Sequence, residues 1–354
     1  NETDIYRFTA SSQQPIYFDV VSTSETNVAN YRLVDGFGRV LTQRTSLQDL
    51  DIYETPEAGD YWLLVEARVS NTSSHTYQMN LIAASVAESE LVIGETVNGL
   101  IAGPGDIVQY TFSLADGETL YFDSLTDTKI HWSLDGPGGT VVSNRRFDQS
   151  DSTGNSSPLL PVPSGDYTLT VDGSDNTIGN FSFRLLDINE QFTPLTHGTP
   201  FSAELTDPRE TDVYQFDASI GDEPLVDFLT ASDSRDILVR IFNPLGQKVF
   251  EQRDLDDADL SPFTATGTHT LLIEGRTVNT DAAAYSLNLH NVHVRAAGLL
   301  TLGTVISDAI TTPAERVEYS FDLAEHSLLH FDSLTVSSDL NWTLAGPRGI
   351  ERSN

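Results

Sequence analysis

The chain has no cysteine in its 354 residues, which excludes a disulfide framework and any thiolate metal site. Basic residues are scarce. Nineteen Lys and Arg face 52 Asp and Glu, for a net charge of −33 and a pI of about 4.2. Such a surface repels a phosphate backbone and an anionic bilayer alike, so neither nucleic acid nor membrane is an expected partner. No apolar run approaches the roughly 18 residues of a membrane helix. No useful window combines a 3.6-residue apolar period with caps, so little helix is expected. Enzyme signatures are missing as well: there is no His-Glu-x-x-His, no Gly-x-Ser-x-Gly, no phosphate loop and no Rossmann glycine pattern.

What is present is a repeat. The stretch Asp106-Ile-Val-Gln-Tyr-Thr-Phe-Ser-Leu114 has counterparts at Thr3–Phe8, Thr211–Phe216 and Glu315–Phe321. The aromatic pair falls at Tyr6/Phe8, Tyr110/Phe112, Tyr214/Phe216 and Tyr319/Phe321, in steps of 104, 104 and 105 residues. A period of this length gives each copy enough chain for a core of its own. Period-2 alternation, as in Tyr167, Leu169 and Val171 against Thr168 and Thr170, reads as half-buried strand. Turn signals recur at Asp35–Gly38, Gly136–Gly139, Asn243–Gly246 and Gly346–Gly349, where Pro presets φ and Gly permits φ above zero.

The expected fold is all-β: tandem antiparallel β-sandwich, jelly-roll-like domains of about 104 residues, arranged as a rod. Four stretches follow. Residues 1–90 form a partial repeat without an opening strand. Residues 91–191 and 192–297 are complete, and 298–354 is a partial repeat that stops halfway. Later copies open on Gly94-Glu-Thr-Val-Asn-Gly99, Gly198-Thr-Pro-Phe201 and Gly303-Thr-Val-Ile306. Both ends therefore fall inside a repeat, and the sequence reads as a segment of something longer. The joins are short and not Gly/Ser-rich, which favours stacked units over swinging ones.

Together these landmarks resemble the bacterial pre-peptidase C-terminal domain. The residues that carry the likeness are Asp212, Tyr214 and Phe216, the turn Pro244/Gly246, Pro163–Val171 and the closing Gly179–Leu185. The resemblance implies a β-sandwich accessory module of exported proteins, in some cases linked to matrix binding or to calcium. The third copy departs from the pattern at Val226 and His269.

One acidic loop recurs in the first three copies: Asp49-Leu-Asp51, Asp148-Gln-Ser-Asp151 and Asp254-Leu-Asp-Asp-Ala-Asp259. Calcium takes six to eight oxygens, and closely spaced Asp on a loop supplies several of them. Asp254, Asp256, Asp257 and Asp259 are therefore candidate calcium ligands, with Asp148 and Asp151 at the matching site of the second copy. Solvated surface is the bland alternative for most of these acids. His290 and His293 have no third ligand at metal spacing and read as junction residues. His131 is replaced by Asn30, Leu238 and Asn341 in the other copies, so it is no shared catalytic group. Trp132 and Trp342 align with apolar positions and are expected in cores. Trp62 aligns with Thr168 and Thr270, points outward by alternation and is the one aromatic suited to a glycan.

The functional expectation is a non-enzymatic, structural stalk of an extracellular or cell-surface bacterial adhesin or fibre, with calcium stiffening as an option. Its partners would be neighbouring repeats, with self-assembly into a fibre. The alternative is a glycan- or matrix-binding accessory module of a secreted protease or other exported enzyme.

Overall fold

The computed structural model describes residues 2–353 except 26, 28, 71, 174, 175, 232–236, 326, 338 and 339; for 51–53 it describes the backbone alone. The described chain is all-β and repeat-like, with two short 3-10 turns and no α-helix. It divides into two units, Asn1–Val292 and His293–Asn354.

Within the first unit the strands fall into three sets. The first set is β1 (Thr3–Ala10), β2 (Pro15–Thr23), β3 (Ala29–Val34) and β4 (Val40–Arg44). It continues with β5 (Leu50–Glu54), β6 (Gly59–Ala67) and β7 (Tyr77–Ala83). The second begins with β8 (Val86–Glu90), β9 (Thr96–Ile101), β10 (Ile107–Leu114) and β11 (Glu118–Ser124). Then come β12 (His131–Gly136), β13 (Gly139–Arg146), β14 (Leu159–Val162), β15 (Gly165–Asp172) and β16 (Gly179–Asp187). The third opens with β17 (Thr193–Pro194), β18 (Phe201–Leu205), β19 (Thr211–Ala218) and β20 (Pro224–Ala231). It ends with β21 (Ile237–Phe242), β22 (Lys248–Arg253), β23 (Ala258–Asp259), β24 (Gly267–Gly275) and β25 (Ala283–Asn291).

Each set builds two sheets. They are ordered β1-β6-β3-β4 with β5-β2-β7, β13-β12-β15-β10-β8 with β14-β11-β16-β9, and β17-β19-β24-β21-β22 with β18-β25-β20-β23. Pairing inside them is antiparallel, except that β8 lies parallel to β10 and β17 parallel to β19. The chain joining one repeat to the next thus becomes an edge strand of the later one. In the first set β1 and β7 are themselves edge strands, whereas β10 and β19, the counterparts of β1, carry β8 and β17, and β16 and β25, the counterparts of β7, carry β9 and β18.

Alternation explains the cores. In β15 Tyr167, Leu169 and Val171 are buried while the residues between them are not. They share one core with Phe122, Phe181 and Phe183 of the opposite sheet. Trp132 stacks on Phe122 at 4.0 Å, and its indole N–H donates to Ser150 Oγ at 2.7 Å. That bond satisfies the one polar atom the ring takes inside. Tyr61 and Tyr167 hold their loops by donating to the Glu57 and Pro163 carbonyls, each at 2.5 Å. The third repeat has His269 at this position. Its ring stacks on Phe263 at 4.2 Å, and its buried Nε2 finds no hydrogen-bond partner among the described residues.

The second unit contains β26 (His293–Leu299), β27 (Glu315–Ser320), β28 (Thr343–Gly346) and β29 (Gly349–Ser353). β26 runs parallel to β27, and β28 with β29 forms a hairpin. Here two expectations need correction. Gly303–Ile306 forms no strand, and Val305 is exposed. Trp342 is half-buried rather than core, stacked on Phe331 at 4.3 Å. Both follow from one cause: with four described strands, this unit has no second layer for those side chains to enter.

Candidate functional site

The acidic loops do a structural job in each of the first three repeats. Asp49 Oδ1 accepts the Val20 N–H at 2.7 Å, and Asp257 Oδ1 accepts the Phe228 N–H at 2.8 Å. Asp151 accepts the Ser124 N–H in the same way. In the first and third repeats the N–H lies at or beside a break in strand register. An amide left without a ladder partner needs an acceptor, and the loop aspartate supplies one. Asp254 takes positive φ at +73°, Asp256 is exposed, and Asp259 is exposed on the short β23. The backbone carbonyl of Asp256, not its carboxylate, accepts from Gln252 Nε2 at 2.5 Å. Asp148 pairs with Arg146. The Asp51 side chain lies outside the described residues. Among the described residues no three His, Cys, Asp or Glu come together in a metal-holding group. His290 Nε2 lies 3.3 Å from Asp227, and His293 Nε2 lies 2.9 Å from Thr312 Oγ1.

The densest polar chemistry sits where the second and third repeats meet; of the residues singled out in the sequence, Asp151 lies within it and Asp148 beside it. Arg240 and Glu274 are both fully buried and form a two-pronged ion pair, with Nε to Oε2 at 2.5 Å. Both side chains come from the third repeat, but their remaining bonds cross to the second. Tyr121 donates to Glu274 Oε1 at 2.5 Å and lies 3.0 Å from Thr211 Oγ1. The Ser152 N–H donates to Glu274 at 3.2 Å, and Arg240 Nη1 donates to the Asn155 carbonyl at 2.6 Å. Beside them Arg184 meets buried Asp123 at 2.6 Å and Glu210 at 3.5 Å. An apolar cluster of Tyr121, Leu186 and Ile188 against Val213, Phe242 and Leu272 closes the contact.

Charge is unevenly matched here. Burial pushes the Asp123 carboxyl up to about 6, against the opposing pull of Arg184. Burial, and then the Asp123 charge, hold Asp151 well above the ordinary carboxylate range. Next to this network a cavity of about 190 Å³ is lined by Asp127, Asp148 and Ser152 on one side and by Arg276 and Thr277 on the other. Ser152 Oγ is buried there without a hydrogen-bond partner among the described residues. A sequence signal for this junction did exist. Ile237–Phe242 is buried at every position, and an unbroken apolar strand with a lone arginine marks a sheet covered on both faces.

The first junction is built differently. Tyr17 is fully buried and donates to Asn176 Oδ1 at 3.2 Å. Asn176 Nδ2 in turn reaches Asp19 at 3.2 Å and Asp49 at 3.3 Å. Gly105, at φ +79°, lies under the tyrosine, and a Cβ there would stand 2.6 Å from Tyr17 Cβ. Trp62 lies half-buried on the outer face of β6, between Arg7 of β1 and Val34 of β3.

No protein-family model matches the chain, and no curated protein sequence does. Similar solved structures include the Aeromonas hydrophila PliG, a periplasmic lysozyme inhibitor of g-type lysozyme. It is 14% identical with a TM-score of 0.25, covering 28% of this chain and 96% of that one. The CUB1-EGF-CUB2 domain of human MASP-1/3 is 7% identical with a TM-score of 0.21, covering 55% and 99%. At these scores neither similarity carries a functional argument.

Proposed function

We propose that the chain is a structural segment, the stalk of an extracellular bacterial adhesin or surface fibre, in which tandem two-sheet sandwiches stack as a rod. The observation that supports this reading is the buried, hydrogen-bonded contact between the second and third repeats. A junction that desolvates an ion pair and an apolar cluster resists bending, which is what a spacer needs. The acidic surface suits a protein exposed to salty surroundings, where counter-ions screen self-repulsion. A solenoid-like winding of about 11 turns is another description of this succession of strands. The antiparallel partners inside each repeat favour closed two-sheet units instead.

The likeness to the pre-peptidase C-terminal domain and the role as an accessory glycan- or matrix-binding module stand as the second reading. Half-buried Trp62 on an open sheet face supports it. Calcium in the acidic loops is a separable part of the proposal. Pulling single molecules by force tests the stalk reading. Full repeats of about 100 residues would each release roughly 350 Å of chain, given about 3.5 Å per extended residue. A single event spanning the whole first unit, or a hydrolytic activity in the folded chain, would overturn it.

A further inference from the structure

The face that docks the third repeat onto the second has a counterpart in the first repeat, laid out in the same register. In the third repeat Thr211 stands opposite Glu274, Val213 opposite Leu272, and Leu272 opposite Arg240. In the first, Thr3 stands opposite Glu66, Ile5 opposite Leu64, and Leu64 opposite Arg32. Arg32 and Glu66 make the same two-pronged pair, with Nε to Oε2 at 2.5 Å. The second repeat breaks the pattern, with Gln109, Thr170 and Ser133 at the positions of Ile5, Leu64 and Arg32. Exposure separates the two matching faces. Val213 and Leu272 are 6% and 0% exposed, whereas Ile5 is 64% exposed and Leu64 is half-buried.

We infer that the outer face of β1, β6 and β3 is a docking surface for the end of another two-sheet repeat of this kind. The occupied face shows the chemistry required of that partner. It presents a tyrosine hydroxyl to Glu66, as Tyr121 does to Glu274. Two aliphatic side chains cover Ile5 and Leu64, as Leu186 and Ile188 cover Val213 and Leu272. A backbone carbonyl takes the third nitrogen of Arg32, as Asn155 does for Arg240. An apolar patch that carries a preformed, partner-seeking ion pair is poorly suited to water, and docking completes it. The Tyr121 end within this chain is already engaged by its own third repeat, so a separate repeat is the occupant. This inference rests on the comparison of the two faces and not on the stalk reading.

The test uses the full chain lengthened at its front. Residues 85–210 are joined directly to Thr3, which occupies the register position of Thr211. Because the protein lacks cysteine, Leu64→Cys places one thiol on the face, and its rate of alkylation reports cover. We expect the thiol to react several-fold more slowly in the lengthened chain than in the 354-residue chain. Leu186→Asp in the added repeat should restore the faster rate, and Tyr121→Phe in the added repeat should restore it in part. An extra cooperative unfolding transition over that of the 354-residue chain reports that the added repeat is folded. Equal rates in the two chains beside a folded added repeat would overturn the inference, as would slowing that is indifferent to Leu186→Asp.

Discussion

The two junctions of the first unit solve one problem in different ways. Between the first and second repeats, the connecting chain does most of the work. β8 adds five residues of parallel ladder to β10, and one tyrosine packs on one glycine. Between the second and third, the connecting strand contributes two residues of ladder, and the faces themselves carry the contact. The difference traces to the later repeat's outer face. Gln109, Thr170 and Ser133 leave the second repeat nothing apolar to bury there, while Val213, Leu272 and Arg240 oblige the third to find cover. Tandem copies of one fold therefore need not be joined alike, and the outward residues of three strands decide which join forms.

That comparison is easiest to break at the buried ion pair. Glu274→Ala leaves Arg240 charged and dry, and should cost about 3–5 kcal/mol in the third repeat's unfolding transition by denaturant. The matched change Glu66→Ala, at a partly exposed pair, should cost about 0–1 kcal/mol. Equal losses would mean that the junction does not desolvate the pair. The tyrosines come next. Tyr121→Phe removes a bond to a charged acceptor and should cost about 1.5–3 kcal/mol, against about 0.5–1.5 for Tyr17→Phe, whose acceptor is an amide.

The pH dependence sharpens the contrast further. Asp123 has a folded pKa of about 6, above its ordinary 3.8, and Asp151 is shifted in the same direction. Their neutral forms favour the fold, so this contribution is fully present below about pH 4 and is lost as pH rises through 6. His269, lowered by burial, acts in the opposite sense, with stability lost as pH falls below 6.5. Asp151→Asn isolates the first effect. The variant should gain in melting temperature over the parent between pH 4 and pH 8, and a constant difference across that range would contradict the assignment. The smallest effect belongs to the loops. Asp257→Ala removes the acceptor of one backbone N–H and should cost about 1 kcal/mol in the presence of chelator. A larger loss with calcium than with chelator would support calcium in the loop, and an equal loss would remove calcium from the proposal.

Much of the fold was legible because alternation and turn chemistry are local. The Tyr110/Phe112 and Tyr167–Val171 patterns announce strands with one buried face, and the repeat step supplies their order. The junction was less legible, since Arg240 and Tyr121 come from different repeats and nothing local to either names the other. Its trace was the apolar run Ile237–Phe242, in which the loss of alternation reports a second covered face. The acidic loop stays open to two readings for a physical reason: carboxylates spaced to bind a cation are also spaced to accept a backbone N–H. The unformed strand at 303–306 shows the limit of motif matching, because a strand needs a partner as well as a pattern.

The central claim is that the second junction is rigid because its ion pair and apolar faces are buried together. Distance distributions between spin labels test this most directly, and in the cysteine-free chain Ser143→Cys and Gln247→Cys place the labels at two exposed sites with no native thiol to remove. The account predicts one narrow distribution at neutral pH that broadens in Glu274→Ala. A wild-type distribution as broad as that of the variant would contradict it.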